Sequence, residues 1–431
     1  MHKNITVERL KTNYMSERKQ IYLNLAHMSE EGAEMKFIQE AFDTNWVVPM
    51  GPNVNGFEED LKNFVQANKE VVALSSGTAA IHLALLSCGV GPGDEVLVQS
   101  FTFCASANPI SYVGATPVFV DSEADTWNMN PVLLEEAIKD RIAKTGRKPK
   151  AIIPVALYGM PYDCERIMEI ADSYEIPVIE DAAEGMGSKF DGRVLGTFGK
   201  FGVLSFNGNK MITTSGGGAL ICENAEVKNN IMWYATQARE AYPYYHHEAI
   251  GYNYRMSNIS AGIGRGQMTI AQTHIDHHRH VQALYEKLLA DVPGVEIHKQ
   301  PADPRYDSNF WLCAITIAPS LKIVGQENAY KSIIQKDGYA SVVHSVDSAL
   351  TDCQPNDNVE ALRVYLLDKK IEVRPVWKPM HKQPVHKNAP AYVNGVSEAI
   401  FKVGLCIPAG PCVTDEDVMY IVDCIKEAIV K

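Results

Sequence analysis

The stretch Phe201-Gly-Val-Leu-Ser-Phe-Asn-Gly-Asn-Lys210-Met-Ile-Thr-Thr-Ser-Gly-Gly-Gly218-Ala-Leu-Ile-Cys222 begins apolar, breaks at small polar residues around a lysine, and passes three glycines into a second apolar run. Read by pattern, it is strand (202–206), lysine-bearing turn, strand (219–222). Working outward, five more short apolar runs precede it, at 71–74, 95–98, 116–120, 151–155 and 177–180. Helical patterns separate several of them, most plainly at 78–88 and 131–144, the latter closed by Thr145-Gly-Arg-Lys-Pro149. Seven strands alternating with helices predict an α/β fold built on a mostly parallel seven-stranded sheet covered by helices.

Upstream, the spacing of Met35, Ile38 and Phe42 predicts an amphipathic helix within 29–44, followed by a rigid connection, 45–52, and renewed helical periodicity at 57–65. Past Gln267 a polar, His-rich helix leads into mixed short strands, 315–317 and 371–373 among them. The expected organisation is an N-terminal arm (1–20), a large domain (21–269) and a smaller C-terminal α+β domain (270–431).

The 431 residues are 46% hydrophobic and 21% charged, with a formal charge of -12, the composition of an ordinary globular protein. That charge argues against nucleic acid as a partner. No apolar run approaches the ~20 residues of a membrane span. The nine cysteines form no CxxC pair and, with a polar opening unlike a secretory signal, suggest reduced thiols in the cytoplasm.

Three further segments bear on chemistry. Ser75-Ser-Gly-Thr78, between a strand and an apolar helix, has the N–H groups, hydroxyls and glycine of a phosphate cradle; the plainer reading is an ordinary helix cap. Val178-Ile-Glu-Asp181-Ala-Ala-Glu184 ends a strand on a carboxylate where open α/β sheets bind ligands, or else caps a turn. Ser100-Phe-Thr-Phe103 offers an aromatic face at the same edge, or core packing. An amine is nucleophilic only when neutral, which lysine in water is not; burial, a nearby cation or bonding to a carbonyl removes that obstacle. Cradle, aromatic face, carboxylate and lysine in this order are the partners that pyridoxal 5'-phosphate requires.

These segments, with Gly91-Pro-Gly-Asp-Glu95, Gly114-Ala-Thr-Pro-Val-Phe-Val-Asp121 and Gly251-Tyr-Asn-Tyr-Arg-Met256, resemble the DegT–StrS family of nucleotide-sugar aminotransferases from about Asn45 to the C-terminus. The resemblance implies a fold type I transferase using pyridoxal phosphate. It implies that Lys210 bonds the cofactor carbonyl, Asp181 pairs with the pyridine nitrogen, and Phe103 stacks on the ring. Gly77, Thr78 and Ser205 would hold the phosphate, and Asn253 would reach the phosphate of a neighbouring subunit, implying a homodimer with shared sites. Glu184 departs from the Gln or His that many members place near the cofactor's phenolic oxygen, leaving its role open. Retention of lysine, where dehydrating relatives carry histidine, favours transamination.

The expected reaction moves an amino group from an amino acid, expected to be glutamate, to a nucleotide-linked 4-keto-6-deoxy sugar for surface polysaccharide synthesis. The segment Trp46 to Pro52 resembles members acting on UDP-linked sugars. Glu372-Val-Arg374-Pro-Val-Trp377-Lys-Pro-Met-His381 resembles the substrate-side loop, making Arg374, Trp377 and His381, with Arg255, the candidate substrate residues; a stiff domain-joining loop is the other reading. Two alternatives remain open: a lyase such as a cysteine desulfurase, with Cys353 as the loop cysteine, and a non-catalytic cofactor-binding regulator. The cluster His274, His277, His278 and His280 reads as a solvated helix face and not as a metal site. Gly196 to Gly202 mimics a dinucleotide fingerprint but leads into a strand.

Overall fold

A computed structural model describes residues 19–330 and 353–430. Residues 1–18 of the expected arm therefore lie outside the described residues. All seven expected strands form: β1 (Glu70–Leu74), β2 (Glu95–Gln99), β3 (Thr116–Val120), β4 (Ala151–Ile153), β5 (Ile179–Asp181), β6 (Phe201–Ser205) and β7 (Gly218–Cys222). Two ladders, β1-β7-β6-β5 and β3-β2-β4, are joined where β4 and β5 meet through the parallel bridges Ile152–Val178 and Val155–Asp181. Pairings of β2 with β3 and β4, and of β5 with β6, are parallel, while β7 runs antiparallel to both β1 and β6. Six C-terminal strand ends and the first residue of β7, Gly218, thus share one edge. That edge is where a doubly covered sheet opens to ligands.

The strands read as continuous Val, Ile and Leu runs because helices cover both faces. Helix Gly77–Ser87 is buried along nearly its whole length, which is why its sequence is apolar all round. Helix Pro131–Thr145 starts on Asn130, whose side chain accepts from the Val132 and Leu133 N–H groups, and stops at Gly146 in the left-handed region, φ 72°. The two upstream helices occupy Ala33–Asp43 and Pro52–Val65, the second starting on the proline that the connecting segment supplies.

The C-terminal part carries its own antiparallel sheet, in which Cys313–Ile317 pairs with Val295–Ile297 and Gly404–Ile407, and the latter with Arg374–Pro375. A separate core including Tyr285, Ile315, Ile407 and Ile421 lies beneath it. The expected strand 371–373 does not form: Ile371 makes only a bridge to Ile21, and the ladder begins at Arg374. Two segments cross between the halves. Ile21 sits in the C-terminal core, and Ala391–Tyr392 adds to the large sheet parallel to β3. We propose residues 269/270 as the domain division, with these two exchanges.

The histidine cluster corrects the expectation of a solvated face. Helix Ala271–Leu289 buries His274 and His278, whose Nδ1 atoms lie 3.1 Å from the Met211 carbonyl and 3.2 Å from the Phe310 carbonyl. The exposed His280 pairs with Asp415. The helix lies under elements from both halves, so water reaches only part of it. Among the described residues no group of three or more side chains is arranged to hold a metal ion, and no helix is long and apolar enough to cross a membrane.

Burial pushes the His278 and His298 imidazoles down to about 3. Below their ordinary ~6.5 the unfolded chain takes up protons that the folded chain refuses, so this stability is present above pH 6.5 and lost as pH falls toward 3, by about 1.4 kcal/mol per pH unit and group. Buried Glu180, Asp181 and Glu184, all raised by burial, act in the opposite direction. The isolating measurement is therefore a difference. His298→Phe, which keeps the stack on Trp127 at 3.8 Å, should lose less urea resistance than the parent between pH 6.5 and 4.5; equal losses would refute the assignment.

Candidate active site

A cavity of about 410 Å³ opens at the shared strand edge, between the ends of β5 and β6 and the N-terminus of helix Gly77–Ser87. Lys210 points into it from the turn after β6, its side chain only 13% exposed. Its Nζ lies 3.2 Å from Glu184 Oε1 and 4.0 Å from the centroid of the Trp311 ring. The turn is pinned on several sides. The Lys210 N–H donates to the Asn207 carbonyl at 2.9 Å, while Trp311 Nε1 and Asn24 Nδ2 both donate to the Asn209 carbonyl, at 2.7 and 3.0 Å. An amine so placed is held still without blocking its head group.

Asp181 ends β5 and is buried. One carboxylate oxygen accepts from Ser106 Oγ at 2.6 Å and the other from the Ala183 N–H at 3.1 Å. Burial raises its pKa, against the lowering pull of those two bonds and of Lys210. Glu184 is likewise raised by burial, opposed by Lys210 and by the Tyr158 N–H, which donates to Oε2 at 2.8 Å. Tyr158 reaches it from a left-handed backbone, φ 54°, an uncommon conformation for a residue other than glycine. Glu184 thus sits between the lysine and a fixed backbone donor.

The Ser75–Thr78 segment forms a helix cap, the plainer of its two readings, and opens onto the cavity. Ser76 caps the helix, taking the Ala79 N–H on its side chain and the Ala80 N–H on its carbonyl, and Gly77, Thr78 and Ser205 line the cavity beside it. A Cβ on Gly77 would lie 3.2 Å from Ser205 Cβ, and one on Gly218 would lie 2.4 Å from the Gly77 nitrogen. Position 218 needs glycine so that β7 and the helix start can converge, and a side chain at position 77 would press on Ser205. Across the cavity, Phe103 is half exposed, with Trp377 5.3 Å away, ring centroid to centroid. A glycine-lined helix N-terminus, an aromatic face, a buried carboxylate and an amine fit the phosphate, ring, ring nitrogen and carbonyl of pyridoxal phosphate.

Four candidates lie elsewhere. Arg255 is paired with buried Glu58 and donates to the Ala73 carbonyl at 3.0 Å, so its charge is used inside the large half and does not reach the cavity. Arg374 lies on the C-terminal sheet, 3.1 Å from Glu372. His381 is enclosed by Ser100 and Glu398. Asn253 is exposed and bridges to Thr236 outside the cavity. Cys353 is buried, 1% exposed, and does not line the cavity, so no loop cysteine of the desulfurase kind is presented there. Trp311, Tyr158 and Ser106 escaped the sequence reading. Only Ser106, three residues beyond Phe103, lay close enough to a recognised motif to be found.

The sequence pattern of the DegT/DnrJ/EryC1/StrS aminotransferase family matches residues 28–344 and 326–426. The protein EpsN of Bacillus subtilis (strain 168) is 41% identical over 403 residues, covering 93% of each chain. GDP-perosamine synthase of Escherichia coli O157:H7 is 34% identical over 408 residues, covering 94% of this chain and 98% of its own. Among solved structures, a DegT DnrJ EryC1 StrS aminotransferase from Brucella abortus superposes with a TM-score of 0.79 at 28% identity, covering 93% of this chain and 96% of its own.

Proposed function

The chain belongs to the DegT/DnrJ/EryC1/StrS aminotransferase family, and from that premise we propose that it moves an amino group from an amino acid, through pyridoxal 5'-phosphate, to the keto carbon of a nucleotide-linked 4-keto-6-deoxy sugar. The observation that carries this reading is Lys210, held in a cavity 3.2 Å from the buried Glu184 carboxylate, with Asp181 at the neighbouring strand end. The alternatives, a lyase and a cofactor-binding regulator, have no comparable support.

Pyridoxal phosphate supplies a carbonyl that carries the amine and a ring that accepts the electron pair of the substrate carbon. Lys210 Nζ would bond that carbonyl. When not bonded to it, Nζ would be the group positioned to carry a proton at the substrate carbon. Asp181, fixed by Ser106 and Ala183, would pair with the ring nitrogen and hold its proton. Glu184 accepts or shares the proton that Nζ gives up, because it already lies at hydrogen-bond distance. Gly77, Thr78 and Ser205 would hold the phosphate, Phe103 would stack on the ring, and Trp377 would face the sugar.

Glutamate is the proposed donor, and surface polysaccharide the proposed destination. For the nucleotide, the resemblance of the segment Trp46 to Pro52 favours UDP, while the relative named GDP-perosamine synthase makes GDP the necessary comparison. Mass spectrometry of UDP- and GDP-linked keto sugars incubated with enzyme and glutamate tests the reading. A mass change of keto to amine on one of them is expected. No amination of any member would refute it.

The active unit is proposed to be a homodimer. Lys210 is the only lysine or arginine among the described residues lining the cavity, where it faces two carboxylates while the proposed ligands carry phosphate, diphosphate and carboxylate charge. Counter-charge and phosphate donors from a second copy would balance that deficit. Asn253, on an exposed segment with Tyr242, Tyr244, Tyr245 and Ile250 uncovered nearby, is the proposed cross-subunit donor. Asn253→Ala should raise the cofactor dissociation constant about tenfold, and only at protein concentrations that sustain the dimer. A fully active, cofactor-loaded monomer would rule this out.

A further inference from the structure

We infer that His381 is a positioning residue that sets the aromatic mouth of the cavity by tying the Trp377 loop to the end of β2; this rests on reading the cavity as a nucleotide-sugar site. Two loops supply the rings that face each other there. The first leaves β2 at Ser100 and carries Phe103. The second leaves the C-terminal sheet after Arg374–Pro375 and carries Trp377. They come from chain segments more than 270 residues apart, so their spacing has to be fixed by contacts between them.

Ser100 and His381 provide that contact. His381 Nδ1 lies 2.7 Å from Ser100 Oγ, and the His381 N–H donates to the same oxygen at 3.2 Å. The neighbouring Met380 N–H donates to the Ser100 carbonyl at 2.7 Å. On its other side, His381 Nε2 lies 3.1 Å from Glu398 Oε1, and the second Glu398 oxygen lies 3.4 Å from Lys382 Nζ. A carboxylate accepts, so Nε2 carries the hydrogen; in the neutral ring Nδ1 is then the acceptor for the serine hydroxyl. The imidazole thereby links helix Val396–Val403, which bears Glu398, to the strand end that starts the Phe103 loop.

Serine, histidine and carboxylate in a row suggest a nucleophile, but Ser100 is fully buried and neither it nor His381 lines the cavity. Both ring nitrogens are engaged by protein groups, and the His381 side chain is 8% exposed. His381 therefore acts through other residues. With the link cut, the Met380–Ser100 backbone bond and the Trp377 N–H to Tyr158 Oη bond at 2.8 Å still hold the loop near its place. The result is a looser mouth on a folded enzyme. The side that loosens carries Trp377, which a bulky sugar nucleotide meets. Phe103 stays on the end of β2, so a small amino donor and an already seated cofactor are little affected.

Three variants separate the two halves of the link. In His381→Asn the amide falls near Nδ1 and can meet Ser100 but not Glu398. In His381→Gln it falls near Nε2 and can meet Glu398 but not Ser100. Ser100→Ala removes the partner itself. His381→Gln and Ser100→Ala should each raise KM for the accepted keto sugar about tenfold, with kcat, KM for glutamate and cofactor content within about twofold of the parent. Backbone amides of residues 374–386 should exchange deuterium faster in both. His381→Asn should restore the parent values. The inference is overturned if Asn and Gln behave alike, if His381→Gln changes neither KM nor exchange, or if all three variants lose cofactor. A parent enzyme that aminates no keto sugar would instead sink the functional reading, and the exchange comparison would then decide the positioning role alone.

Discussion

Lys210→Ala is expected to abolish turnover, with kcat down on the order of 10⁴-fold or more, since the variant loses both the covalent anchor and the proton carrier. The visible absorption of a lysine-bound cofactor should vanish with it. The fold should persist, because the turn is held by backbone bonds to Asn207 and by Trp311 and Asn24 on the Asn209 carbonyl, none of which uses the amine. Borohydride treatment of the parent followed by peptide mapping should mark Lys210. Residual turnover near the parent value, or a label on another lysine, would end the proposed mechanism.

Asp181→Asn is the second large effect. Asparagine matches the size of aspartate: its oxygen can accept from the Ala183 N–H while its amide donates to Ser106 Oγ, whose hydroxyl can turn to Thr102. It cannot, however, balance a protonated ring nitrogen. The electron sink then weakens, and kcat should fall on the order of 10²–10⁴-fold while cofactor remains bound. Burial has already raised this carboxylate, so its charge is worth most once a cation sits against it. A fall of less than about tenfold would mean that the ring nitrogen has another partner.

Ser106 marks what a local motif cannot carry. Asp181 was recognisable because a strand ending in a carboxylate is a local pattern. The hydroxyl that orients it lies 75 residues earlier in the chain, in a segment noticed only for its aromatic ring. Arg255 shows the opposite error. A positive charge beside a family motif suggests a substrate contact, yet Glu58, 197 residues away, already occupies it. Charge attracts whichever partner folding brings, and a linear reading cannot see which comes first. The buried histidines of helix Ala271–Leu289 fail for a related reason. Polar spacing marks a solvated face only when nothing packs upon it, and here both halves of the molecule do.

The sequence by itself determined the seven strands, the glycine-lined helix start and the lysine turn. Each is specified within about ten residues, by β-branched runs, capping hydroxyls and glycines that permit close approach. Tertiary structure alone decided that Trp311 underlies the lysine, that Tyr158 directs Glu184 from a left-handed backbone, and that His381 joins two distant loops. Those contacts link segments far apart in the chain, and their energy arises only once the sheet has assembled and water has left the space between them.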